Sequence, residues 1–144
     1  MPIKSNQSRT HDPFNFVAGD TWQIEDCLKD INGVPLDLTD VAIGWCLDSL
    51  DGSQTLISLT LGNGISIDEP ESAAVITVTV PATATATLPP GNYTDWLRVK
   101  FSDGEVRTFW TGIIRCAAMP NFIDLQTYEF LFDLSDFRNT MTMG

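Results

Sequence analysis

With 144 residues the chain is the size of one domain with tails, and its 43% hydrophobic content supplies a full core. Only 19% of the residues are charged and the formal net charge is −11, a balance that repels phosphates and excludes direct nucleic-acid binding; the eight basic residues are scattered from Lys4 to Arg138. No apolar run approaches the roughly 18–20 residues that cross a bilayer, and the opening MPIKSNQSRTHDPFNF has no apolar h-region, so the expectation is a protein made and kept in a cytosol unless it leaves by lysis or as part of a particle.

Residues 1–13 are polar, end in His11-Asp12-Pro13, and read as an N-terminal arm that orders only against a partner. Phe14, Phe16 and Val17 open the folded region. Thr21 to Leu28 is the first good strand, with Trp22 and Ile24 on one face. Lys29 to Gly33 is a turn with Asn-Gly at its centre. Pro35 makes Val34 to Asp40 an edge or short extended segment, with Leu36 and Leu38 on one side. Val41, Ile43, Trp45 and Leu47 then alternate with Ala42, Gly44 and Cys46; the small residues of the second set suggest close approach by another strand, a loop or a subunit. Gln54 to Leu61 returns as a strand after Asp51-Gly52, and Ile65 and Ile67 form a short one after Gly62-Asn63-Gly64. An acidic loop, Asp68-Glu69-Pro70-Glu71, precedes the β-branched run Ala74 to Val80. Ala82 to Leu88, flanked by prolines, favours a short helical crossover.

The stretch 88–116 holds the clearest hairpin. Tyr93, Asp95, Leu97, Val99 and Phe101 alternate with Thr94, Trp96, Arg98 and Lys100, and Val106 to Cys116 is rich in β-branched and aromatic residues. Asp103-Gly104 predicts a two-residue loop with both residues at positive φ. Leu88, Gly91 and Tyr93 together resemble the tyrosine corner of Greek-key sandwiches, the alternative being a core Tyr after an ordinary turn. About seven or eight short strands, with turns every 8–12 residues or so, predict an all-β, immunoglobulin-like Greek-key sandwich over 14–118. Residues 119–144 form an aromatic-rich C-terminal arm. Phe122, Tyr128, Phe130, Phe132 and Phe137, five aromatics within 16 residues, require burial on the domain itself or on another chain.

Catalytic chemistry finds no constellation. The single histidine, His11, falls in the N-terminal arm and there is no nucleophile-elbow sequence. His and Cys lack metal-ligand spacing, Pro70 interrupts Asp68, Glu69 and Glu71 as calcium ligands, and Gly62-Asn63-Gly64 is followed by no lysine or helix that would make a phosphate loop. The expectation is therefore no enzyme, no cofactor and no metal. Cys27, Cys46 and Cys116 read as buried thiols, with a Cys27–Cys116 disulfide open if the first and last strands are neighbours. Trp22 and Trp45 share phase with aliphatic core positions, Trp110 fits either environment, and Trp96 alternates with Arg98 and Lys100, which places it on an outer face suited to a sugar or a subunit.

In order, AGDTWQI (Ala18 to Ile24), DINGVPLDLTDVAIGWCL (Asp30 to Leu47), GNGISID (Gly62 to Asp68), AVITVTVPATATATLPPGNY (Ala74 to Tyr93) and VKFSDGEVRTFWTGIIRC (Val99 to Cys116) give a pattern that resembles the immunoglobulin-like domain of tailed-phage virion structural proteins. It is similar to the N-terminal domain of phage baseplate upper proteins and covers about residues 14–118. The resemblance implies a virion component made in the bacterial host cytoplasm, acting in tail, baseplate, neck or fibre anchoring through contacts with other virion proteins and copies of itself. The contact residues expected are Phe122, Tyr128, Phe130, Phe132 and Phe137, with Trp96 as a second site. The alternatives are a capsid decoration protein and a carbohydrate- or receptor-binding module, in which a glycan is the partner.

Overall fold

The computed structural model describes residues 9–120. They form eight strands: β1 (Arg9–Val17), β2 (Trp22–Cys27), β3 (Ala42–Ser49), β4 (Thr55–Leu61), β5 (Gly64–Ile67), β6 (Val75–Val80), β7 (Gly91–Lys100) and β8 (Val106–Ala117). A four-residue helix, α1 (Ala82–Thr85), joins β6 to β7 as the expected crossover, and a 3-10 turn spans Glu71–Ala73. Alternation decides which side each strand buries: β3 turns Ile43, Trp45 and Leu47 inward, and β7 turns Tyr93, Asp95, Leu97 and Val99 inward.

The ladder order is β1-β8-β7-β3-β4-β5-β6-β2. The link between β4 and β5 is a parallel contact of two residue pairs, Thr60 with Gly64 and Leu61 with Ile65, where the chain doubles back at Gly62. The ribbon folds over at that corner until its two end strands meet. Phe16 of β1 stacks on Trp22 of β2 at 4.8 Å between ring centroids, the Trp22 indole donates to the Val17 carbonyl at 2.9 Å, and Arg9 pairs with Asp26 at 2.7 Å. The result is a sandwich. One layer is β1-β8-β7-β3-β4 and the other β5-β6-β2, with the core between them from Trp22, Ile24, Ile76, Val78 and Val80 on one side and Ile43, Trp45, Leu97, Trp110 and Ile114 on the other. Each fully buried aliphatic among these contributes roughly 1.5–3 kcal/mol. The chain changes layer between β1 and β2, between β2 and β3, between β4 and β5, and across α1. With β3, β7 and β8 adjacent in one layer and β2, β6 and β5 in the other, this is the Greek-key arrangement of immunoglobulin-like domains.

The Tyr93 hydroxyl donates to the Pro89 carbonyl at 2.5 Å, so the tyrosine-corner alternative holds, and the bond fixes the entry to β7. Two local expectations are corrected. The Asp103-Gly104 hairpin is a three-residue loop: Phe101 N–H donates to Glu105 O and Gly104 N–H to Phe101 O, both at 2.8 Å, and only Gly104 takes positive φ, at 93°. The Asp103 carboxylate accepts the Glu105 N–H at 2.9 Å, an Asx-type bond that suits a type I turn followed by a left-handed glycine. The other correction concerns the N-terminal arm. Arg9 to Pro13 lie in β1, paired parallel with β8, so the folded body begins before residue 14. A register shift between His11 and Phe14 takes up Asp12 and Pro13, which lets a proline without an N–H sit in an edge strand.

Candidate functional site

The most concentrated chemistry in the described residues is a polar cluster inside the layer β1-β8-β7-β3. Asp95, on the inward phase of β7, is 0% exposed. Its Oδ2 accepts the indole N–H of Trp45 from β3 and that of Trp110 from β8, each at 2.9 Å. Its Oδ1 meets His11 Nε2 at 2.6 Å, and the His11 side chain is 6% exposed. The other ring nitrogen, Nδ1, lies 2.6 Å from the Asp12 carbonyl oxygen. The imidazole stacks on Phe14 at 4.0 Å with the planes 8° apart. Gly112 of β8 makes room for it, since a Cβ there would stand 2.4 Å from His11 Cε1.

Hydrogen-bond bookkeeping limits what this cluster can do. A backbone carbonyl only accepts, so Nδ1 carries a proton, and one further proton lies between Nε2 and Oδ1. The carboxylate's other oxygen is occupied by two indoles. No ring nitrogen is left to take a proton from a substrate, and the pair is closed to solvent. The cluster ties four adjacent strands together through one carboxylate. In antibody domains the position two residues after the corner tyrosine holds the second cysteine of the inter-sheet disulfide, against which the tryptophan of the third strand packs. Here that position is Asp95 and the tryptophan is Trp45. A hydrogen-bonded pin within one layer stands where a covalent bridge between layers would be. The three cysteines are free thiols, and the Cys27–Cys116 bridge left open by the sequence does not form: Cys116 pairs with Phe16, which stacks on Trp22 at the start of β2, whereas Cys27 is at the other end of that strand.

Two of the open surfaces among the described residues carry candidate binding groups. On the outer face of β3, β4 and β7, Trp96 lies half-buried in a shallow hollow of about 220 Å³ with Gly44, Cys46, Ser58, Thr60 and Arg98. A Cβ at Gly44 would meet only the Leu59 carbonyl oxygen, at 3.8 Å, so this part of β3 leaves the hollow open. Desolvation, reinforced by Asp48, pushes the Cys46 thiol up to about 11. The thiolate is the reactive form, so alkylation at pH 8 should run about 100-fold slower than for a thiol titrating near 9. It should then rise about tenfold per pH unit toward 11. Mass spectrometry of iodoacetamide-treated native protein checks this, and rapid labelling of Cys46 at pH 8 would contradict it.

The second surface is a cleft of about 360 Å³ at the end of the sandwich where β1 and β8 begin, lined by Arg9, Asp26, Lys29, Ile31, Arg107 and Phe109 among others. Arg107 is only 8% exposed, and its guanidinium lies 4.7 Å from the centroid of the Phe109 ring. Burial holds its pKa below the ordinary arginine range. Its Nε has no hydrogen-bond partner among the described residues.

Trp96 is on the outer face as its phase predicts, and Trp110 proves to be interior. Phe122, Tyr128, Phe130, Phe132 and Phe137 lie outside the described residues. Asp68 of the acidic loop is engaged by the Thr77 hydroxyl, 3.0 Å from each carboxylate oxygen. No group of three or more His, Cys, Asp or Glu side chains suited to a metal ion occurs among the described residues.

No protein-family model matches the sequence, and a comparison with curated proteins finds no match. Solved structures give distant likenesses. AggA, the major subunit of aggregative adherence fimbriae type I from Escherichia coli, is 16% identical with a TM-score of 0.39, over 74% of this chain and 91% of that one. The PKD domain of human KIAA0319 is 13% identical with a TM-score of 0.35, over 83% and 91%. CopC from Methylosinus trichosporium is 16% identical with a TM-score of 0.35, over 56% and 67%.

Proposed function

We propose that this chain is a non-enzymatic structural subunit that works by protein–protein contact. The observation that carries the reading is a closed core followed in sequence by an aromatic-rich arm. Trp22, Trp45 and Trp110 are each 1% exposed in a core cluster drawn from Ala18 to Cys116, while five aromatics follow in 122–137. A core already filled by its own strands leaves the arm's apolar surface to another chain. The only His–carboxylate pair among the described residues is consumed in holding strands together, which suits a scaffold. The resemblance of Ala18 to Cys116 to tailed-phage virion domains supports the setting of this proposal: a tailed-phage or prophage particle, the protein being made in the host cytoplasm and built into the virion beside other virion proteins and copies of itself.

Deletion of residues 120–144 tests this. The shortened chain is expected to keep cooperative unfolding with a denaturation midpoint close to that of the full chain, and to lose association with assembled particles and with itself. If the deletion abolishes folding, the arm belongs to the core and the reading fails. The Trp96 hollow, an indole flanked by Ser58, Thr60 and Arg98, favours a second reading as a sugar-binding module. That reading requires a glycan-induced change in tryptophan fluorescence that disappears in Trp96→Ala.

A further inference from the structure

We propose that the cleft at Arg107 is the docking site for the C-terminal arm of a second copy of this chain, an inference that rests on the reading of the protein as an assembly subunit. Three observations carry it. Arg107 is more than nine-tenths buried, lines the cleft and has an Nε without a partner among the described residues, which leaves the hydrogen bonding of its guanidinium incomplete. In a chain of net charge −11, three of the eight basic residues, Arg9, Lys29 and Arg107, line this one cleft beside Asp26 and Asp30; Arg9 is paired with Asp26 and Asp30 accepts the N–H groups of Asn32 and Val34, which leaves Lys29 and Arg107 to meet an incoming acid. The arm supplies the complement: Asp124, Glu129, Asp133 and Asp136 are interleaved with its aromatics, against the single base Arg138. A carboxylate suits the guanidinium. An aromatic ring suits Phe109 and Ile31, which is 63% exposed at the rim.

The reading of the chain as an assembly subunit makes a neighbour the donor of the arm. Arg107 is at the start of β8 and the described chain ends at Pro120, beyond the other end of that strand. The ten residue steps from Arg107 to Ala117 span about 33 Å, a distance that would take up about ten extended residues of the arm if it returned to its own cleft. Copies arranged head to tail bring the arm of one to the cleft of the next, a heterologous contact that repeats from copy to copy.

The test places photoreactive benzoylphenylalanine at position 130 of the full chain and irradiates an equal mixture of unlabelled and nitrogen-15-labelled protein. Cross-links between chains of different label, mapping to residues 29–31 and 107–109, are the expected result. Arg107→Gln should lower their yield about tenfold, the scale of a lost charge-assisted hydrogen bond. Lys29→Glu, at an exposed position where folding is not at stake, should lower it about threefold. Cleft cross-links confined to single chains would mean that the arm folds back on its own domain and would overturn the proposal. Cross-links between chains at the Trp96 face or elsewhere would overturn the cleft as the site and leave the assembly reading standing. A chain that stays monomeric and gives no cross-link between copies would overturn the second copy as occupant.

Discussion

Asp95→Ala is expected to cost about 3–5 kcal/mol of stability, the scale of breaking a buried ion pair from one side. The substitution leaves two buried indole N–H groups and a buried imidazole without their common acceptor, and it opens a space among β1, β3, β7 and β8. Asp95→Asn should be much milder. The amide oxygen can accept both indoles and the amide N–H can donate to a neutral His11 Nε2, so every partner stays satisfied and the loss should be about 1 kcal/mol or less. Urea denaturation of the two variants beside the parent measures both effects. Equal losses would mean that net charge, and not hydrogen-bond completion, is what the cluster contributes. A negligible loss in Asp95→Ala would remove the pin from the account of the fold.

Gly112→Ala is the second large effect. Its new Cβ would stand 2.4–2.5 Å from three atoms of the His11 ring. That ring has little freedom to withdraw, being held by Asp95 on one side and stacked on Phe14 on the other. Displacing it should cost about 1–3 kcal/mol, as overpacking of a closed site does. The amides of β1 should exchange faster, because the pin at His11 holds that edge strand to the rest of its layer. The same substitution in a His11→Ala background should be close to neutral, since the clash has gone. A cost that is unchanged in the double variant would show that Gly112 serves something other than the imidazole.

These two residues also mark where the sequence was readable. The strands β3, β6 and β7 follow from period-two alternation because each buries one face, and the Tyr93 corner and the α1 crossover follow from local chemistry that needs no distant partner. β1 was hidden for a physical reason. Thr10, His11 and Asp12 carry no apolar alternation, and their order comes from a parallel ladder with β8, about a hundred residues away. The polar cluster depends on that ladder, so its membership could not be read locally. One signal was present: Asp95 lies in the apolar phase of β7, between Tyr93 and Leu97, where a lone carboxylate demands buried donors. The single histidine and the two tryptophans are those donors. The Arg107 cleft was hidden in the same way, since Arg9, Lys29 and Arg107 converge only when β1, the end of β2 and the start of β8 are brought together.

Whether this sandwich is an assembly unit is decided by the mass of the purified full chain in solution. Light scattering across a range of concentrations, alone and with assembled particles added, is expected to give a discrete oligomer at a multiple of 15.9 kDa or incorporation into the particles. A mass of 15.9 kDa at every concentration, with none of the protein taken up by particles, would contradict the claim.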